Sequence, residues 1–268
     1  MLPKCRVRRI SYLLLYLAFV SGCTSSSRQL LDRAEASWRK GRHLEAIQTN
    51  QTLYEREPRG RYAARALLNI GNIYYLNIRK LQQAIDAYDR LTHEFPGAAE
   101  ALEAHRQLAD IYANEIVDLN QAIAEYDRIL EAKDLNDRAE ILYQRADALF
   151  RKGDYFRALR ELRSLEEAGI SGHLADQVSL KIGNIYQIQK KFVDAAEQFR
   201  KVLTAPCMEC RRRAILSLAD TYESLFDFDR AIETIRLLDY SPENEQLIRS
   251  EEERLKAKSR RMEDYQNG

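Results

Sequence analysis

Apolar residues in this chain fall into short helical stripes that return at nearly fixed intervals. Alanines stand at Ala46, Ala84, Ala122, Ala158, Ala195 and Ala231, spaced 38, 38, 36, 37 and 36 residues apart. At offsets of four and seven beyond them lie large apolar groups: Tyr88 and Leu91, Tyr126 and Ile129, Leu162 and Leu165, Phe199 and Val202, Ile235 and Leu238. Offsets of zero, four and seven share one face of a 3.6-residue helix, so each alanine predicts an amphipathic helix with one buried stripe. The first copy is weaker, with Asn50 and Leu53 at the two offsets, as expected of a terminal repeat that has a neighbour on one side only. No window alternates well enough to predict a strand.

A second small residue precedes each alanine by twelve or thirteen positions: Ala34, Gly71, Ala109, Ala146, Gly183 and Ala219. Three residues after most of these comes Tyr74, Tyr112, Leu149, Tyr186 or Tyr222. Each period therefore holds two helices, and small residues on their facing sides let the backbones approach while the rings fill the gaps between them. Pro58, Pro96, Pro206 and Pro242 lie eleven or twelve residues past a repeat alanine and mark second-helix ends, since proline inside a helix loses a hydrogen bond and clashes with the preceding turn. Gly41 and Gly153 fall in the turns inside repeats one and four, where a left-handed residue closes a helix. Residues 28–242 thus read as six helical hairpins. Beyond them Ser241 and Pro242 read as a cap and first turn, and Ile248, Leu255 and Met262 form a narrow stripe, so residues 243–268 are expected to be a capping helix and tail.

The stretches "ALLNIGNIYYLNIRKLQQAIDAYDRLTHEFPG" and "LKIGNIYQIQKKFVDAAEQFRKVLTAP" resemble the tetratricopeptide repeat (TPR) in their order of small residue, tyrosine, alanine, aromatic and proline. The resemblance covers roughly residues 28 to 242. It implies an all-α fold, a right-handed superhelical solenoid of about six TPR helical hairpins with the C-terminal helix as a cap, that binds a protein or extended peptide partner in a concave groove. Leu68 and Leu180 stand where the family has tryptophan, and repeats two and three hold one extra residue between their helices, which is expected to alter local turn shape.

The N-terminus carries an address. Residues 1–9 are basic, Ile10 to Val20 are an apolar run, and Ser21, Gly22 and Cys23 follow, a signal-peptide profile. Eleven residues make a helix of about 16 Å, against the roughly 20 residues that a bilayer span needs. Val20-Ser21-Gly22-Cys23 resembles a bacterial lipobox, which implies removal of residues 1–22, lipid (palmitate and related acyl chains) on Cys23, and residues 23–27 as a polar tether. The alternative is an ordinary signal peptide with a cysteine near its cut. Two or three acyl chains anchor stably where one does not. Thr24 occupies the position at which an aspartate resembles an inner-membrane retention signal, so the resemblance points to the periplasmic face of the outer membrane.

Composition narrows the chemistry. Four of the 42 basic residues, Lys4, Arg6, Arg8 and Arg9, precede the cleavage site, leaving 38 against 41 acids, with no concentrated basic surface for nucleic acid. The four histidines are scattered, and no nucleophile with its base, glycine-rich phosphate loop or metal-binding helix emerges. No cofactor is expected beyond the lipid, and no enzyme activity. Cys207-Met208-Glu209-Cys210 is the sharpest local feature. In an oxidising compartment a disulfide staple is the expectation; the livelier reading is a thiol redox module, although the βαβ pattern that accompanies such motifs is absent. A zinc site needs two further ligands, and none stands nearby in sequence.

A polar residue follows the small residue of each first helix: Glu35, Asn72, Asp110, Asp147, Asn184 and Asp220. In a stack of hairpins these form a ladder on one face. The family implies that such a ladder, with Trp38, Tyr75, Tyr143 and Phe150 beside it, grips a peptide; the plainer reading is that the ladder solvates the groove or bonds adjacent repeats. The lipobox followed by repeats resembles BamD-type outer-membrane assembly lipoproteins, most closely over "EREPRGRYAARALLNIGNIYY". The YbgF group of cell-wall-coordinating periplasmic proteins and pilus or secretion accessory lipoproteins share the same repeat type.

Overall fold

Thirteen helices make up the described part of the chain, residues 26–267 apart from Tyr240, in a computed structural model. Cys23 and residues 1–22, expected to be a signal segment, lie outside it. Among the described residues no helix is long and apolar enough to cross a membrane. The helices are α1 (26–39), α2 (His43–Arg56), α3 (Ala63–Asn72), α4 (Leu81–Glu94), α5 (Ala99–Asp110), α6 (Leu119–Leu130), α7 (Arg138–Lys152), α8 (Tyr155–Glu167), α9 (His173–Ile188), α10 (Phe192–Val202), α11 (Met208–Ser224), α12 (Phe228–Ile235) and α13 (Pro242–Asn267). They divide between Glu131 and Ala132 into two compact units, the first holding three hairpins and the second three hairpins and α13. In both, successive helices pack together and each first helix also meets the next first helix, α3 with α5, α7 with α9 and α9 with α11.

All six repeat alanines are fully buried, each as the fourth residue of its second helix. The large groups behind them close the core: Tyr88, Leu91, Ile129, Leu162, Phe199 and Val202 have no exposed surface. Gly71 and Gly183 show why two first helices carry no side chain at all at the contact. A Cβ at Gly71 would stand 2.4 Å from Cε1 of Tyr88, and one at Gly183 would stand 2.5 Å from Cε1 of Phe199, too close for a packed interior to absorb without moving a buried ring.

The hairpin turns share one device. Five residues before every repeat alanine the backbone is left-handed: Gly41, Arg79, Val117, Gly153, Lys190 and Phe226, with φ between 59° and 88°. In four repeats the next residue donates back five positions, Arg42 to Ser37, Asp154 to Leu149, Lys191 to Tyr186 and Asp227 to Tyr222, at 2.8 to 2.9 Å, satisfying a carbonyl that the helix end leaves open. The extra residue of repeats two and three is not in the turn, where the sequence reading put it. It is absorbed within the first helix, whose last stretch becomes π-helical over Ile73–Ile78 and Ile111–Glu115. Lys80 accordingly reaches back six residues to the carbonyl of Tyr74, at 2.9 Å.

Glycine occupies only two of these six joints, and a branched residue is the least suited to the conformation. Left-handed backbone costs roughly 1–2 kcal/mol for a residue with a Cβ, and Val117 is 58% exposed, so little packing is lost with its side chain. Val117→Gly is expected to stabilise the first unit by roughly 0.5 to 1 kcal/mol after the added chain entropy of glycine is set against the relief. A higher urea midpoint would show it; a lower one would mean that the valine methyls contribute more than the strain removes.

The C-terminal helix docks on the last hairpin. The hydroxyl of Ser241 accepts from the Asn244 amide at 3.1 Å, Leu247 and Ile248 pack against Ile215, Ala219, Ile235 and Leu238, and Leu255 is buried. Arg254 grips Glu223 of α11 through two bonds of 2.6 and 2.8 Å, with Lys258 on the same carboxylate, and Arg236 holds Glu252 at 2.6 Å. The bond from Arg254 is the main reason that the Glu223 carboxyl falls from 4.5 to about 2, with Lys258 adding to it; Arg236 does the same for Glu252. Because the folded values are depressed, this contribution is complete above about 4.5 and is lost as pH falls through about 2. With Arg254 38% exposed, the Glu223 share should amount to about 1 kcal/mol. Amide exchange corrected for intrinsic rates should therefore show α13 opening between those values ahead of α9 and α10, and Glu223→Gln should reduce the pH dependence to the share that Glu252 retains.

Candidate partner-binding site

Because first helices pack on one another within each unit, the polar residues that follow their small residues come to one face. Most of them are engaged there. Glu35 lies 3.9 Å from Arg39 and 4.0 Å from Arg65 of the next repeat. The Tyr75 hydroxyl donates to Oδ2 of Asp110 in the next repeat, and the Asn114 amide donates to Oδ1 at 2.8 Å. Asn72 Oδ1 accepts from the Tyr88 hydroxyl at 2.7 Å. In the second unit Lys181 pairs with Asp147 of the preceding repeat and lies 4.7 Å from the Phe150 ring centroid. Glu35, Asp110 and Asp147 thus act first as staples between repeats, the plainer of the two readings of the ladder.

Tyr75, expected to present a ring to a partner, does not. It is 5% exposed and packs with Tyr88, Leu108 and Ile111, and burial followed by the Asp110 carboxylate raises its pKa. Trp38, Tyr143 and Phe150 are partly exposed; burial, then Asp147, pushes the Tyr143 phenol up to about 12. Asn184 is half-buried on α9. Asp220 is exposed as a residue, yet desolvation of its carboxyl and then the Glu223 charge hold its pKa above the ordinary value.

One place on this face is shaped to receive something. In the first unit a pocket of about 390 Å³ is lined by Glu35, Trp38, Arg39, Arg65 and Asn69. Its wall is the Trp38 ring, fixed by an indole N–H bond of 2.8 Å to Oδ1 of Asn77. Asn69 is 3% exposed, and its Nδ2 has no hydrogen-bond partner among the described residues. A buried amide left unpaired costs about 1–3 kcal/mol. A second hollow of about 470 Å³ shares Glu35 and Arg65 and adds Arg28, Asp32, Arg61 and Glu100. The pocket offers an aromatic wall and two guanidinium groups, which is chemistry for holding and orienting. Glu35 and Trp38 were legible in the sequence. Arg65 and Asn69 were not, although Asn69 gave a signal by interrupting the apolar run Ala66-Leu67-Leu68-Asn69-Ile70.

The cysteine pair sits elsewhere, at the start of α11. Cys207 is the N-cap residue, and its Sγ accepts from the Cys210 amide at 3.1 Å. A disulfide joins the two, with Cα atoms 5.2 Å apart. The sequence showed no further ligand near them, but the structure brings His173, the first residue of α9, to within 3.4 Å of Cys210 Sγ through Nδ1.

Comparison with known proteins bears on the class. Tetratricopeptide-repeat family models match residues 65–98 and 143–209. Among solved structures, a tetratricopeptide repeat protein from Parabacteroides merdae is 18% identical with a TM-score of 0.59, and the match covers 84% of each chain. PilW, a widely conserved type IV pilus biogenesis factor, is 13% identical with a TM-score of 0.54 over 83% of this chain and 98% of its own. YrrB, a TPR protein with an unusual peptide-binding site, is 17% identical with a TM-score of 0.53 over 70% and 90%. At these identities the likeness is one of fold. No curated protein matches the chain.

Proposed function

Since this chain is a tetratricopeptide-repeat protein, we propose that it is a noncatalytic scaffold of the bacterial cell envelope, held by lipid on Cys23 at the periplasmic face of the outer membrane, that docks an extended segment of a partner protein. The observation that carries the docking site is the Trp38 pocket itself, an indole ring fixed by Asn77 with Arg39 and Arg65 beside it. An apolar or aromatic side chain of the partner would lie on the Trp38 ring, and an acidic group would meet Arg39 and Arg65. The signal segment and lipobox support the anchoring, and the repeat class supports the binding role. The BamD-like stretch spans Glu55 to Tyr75, around the same pocket, which favours assembly of outer-membrane proteins over cell-wall, pilus or secretion pathways as the setting.

A photocrosslinking group placed at Arg39, on the pocket rim, should trap a defined envelope protein in intact cells, and Arg65→Glu or Trp38→Ala should abolish that product while the chain stays folded and membrane-bound. Crosslinking indifferent to both substitutions would place the docking site elsewhere. Cys23→Ser should release the protein from the membrane fraction; retention would remove the lipid anchor from the proposal.

A further inference from the structure

The geometry points to a redox-gated metal site: when Cys207 and Cys210 are reduced, we propose that they and His173 bind a thiophilic d10 divalent cation, zinc in the first instance. The three ligand atoms, two Sγ and His173 Nδ1, lie within 4.8 Å of one another. Zinc takes sulfur at about 2.3 Å and imidazole nitrogen at about 2.0–2.1 Å in tetrahedral array, which sets neighbouring sulfur and nitrogen ligands roughly 3.6 Å apart; Nδ1 of His173 and Sγ of Cys210 are 3.4 Å apart. A structural staple accounts for the two sulfurs and gives no reason for an imidazole nitrogen to face one of them.

The surroundings suit an ion that enters and leaves. Cys210 is buried, Cys207 half-buried and His173 exposed, so two ligands are held in the fold and the third stands at the mouth, leaving the fourth position open to water or to a donor from a partner. Cys207 caps α11, where the positive end of the helix favours anionic sulfur. His173 begins α9, and α9 and α11 pack against each other. A bound ion would therefore clip together the starts of two neighbouring first helices.

The gate is the disulfide itself. A dithiol reductant delivers two electrons and two protons to the sulfurs and becomes a disulfide; cation binding then displaces the two thiol protons. Exchange with a disulfide oxidant takes the two electrons back, reducing that oxidant to two thiols, and the ion is expelled because a disulfide leaves neither sulfur as a thiolate. The site is thus open to metal in the reduced state alone.

Cobalt(II) tests this on the full chain, after treatment with a dithiol and its removal without oxygen. One cobalt per chain should bind with a thiolate-to-cobalt charge-transfer band and tetrahedral d–d absorption, zinc should displace it, and the oxidised protein should show neither. His173→Gln, at an exposed position that leaves the fold intact, should weaken binding at least as much as loss of an outer-shell partner does, roughly tenfold to hundredfold, and Cys207→Ser should weaken it further. Zinc should also raise the melting temperature of the reduced wild type and not that of His173→Gln. Absence of stoichiometric cobalt in the reduced wild type overturns the proposal, as does a His173→Gln variant that binds cobalt as tightly as the wild type.

Discussion

Phe199→Ala is expected to destabilise the second unit by about 3–5 kcal/mol, a large part of the roughly 5–15 kcal/mol that holds a typical domain together. The ring is fully buried and lies across the backbone of Gly183, so its removal leaves a void between α9 and α10 that cannot collapse without breaking the hairpin. Gly183→Ala attacks the same contact from the other side. It overpacks by about 1–3 kcal/mol, partly offset by the better helix propensity of alanine, about 1 kcal/mol. In the double variant the new methyl projects into the space the ring vacated, so the two losses should fall short of their sum. Urea denaturation of the four proteins measures this coupling; strict additivity would mean that ring and glycine are not in contact.

Arg145→Ala should be comparably damaging. Arg145 donates from Nε to Oε2 of Glu161 at 3.0 Å, with the two side chains 20% and 9% exposed. Glu161 stands three residues beyond its repeat alanine, the position that Glu125 holds in repeat three beside His105 and Arg128. Taking away the guanidinium leaves a carboxylate in the core without its partner, at a cost of about 3–5 kcal/mol. Replacing both residues, as in Arg145→Met with Glu161→Leu, should restore most of that stability, because an apolar pair of similar volume has no charge to desolvate. A single variant that melts like the wild type would show that the carboxylate finds water or another cation.

The fold was legible wherever one residue type answers one packing demand. The alanines, the aromatic groups behind them and the prolines fixed six hairpins, because close helix approach tolerates little else at those positions. The left-handed joints were visible only at Gly41 and Gly153; Arg79, Val117, Lys190 and Phe226 adopt the same backbone without the residue that announces it. The π-helical turns escaped notice for a related reason, since spacing reveals an extra residue but not whether helix or turn absorbs it. Of the ladder, position was legible and engagement was not: that Asp110 meets Tyr75 and Asp147 meets Lys181 depends on how neighbouring repeats are stacked. His173 stands 34 residues from Cys207, and only the packing of α9 on α11 brings them together.

The bulged ends of α3 and α5 bear on how such a chain changes length over generations. In an unbroken α-helix one inserted residue swings everything downstream by about 100°, which would turn Ala84 or Ala122 out of its socket. Here the added residue is confined between the small residue and the joint five positions before the alanine, and both ends of the hairpin keep their phase. Insertions and deletions of a single residue are thereby tolerated at one point in each hairpin, and the repeats can drift in length while their interfaces stay in step.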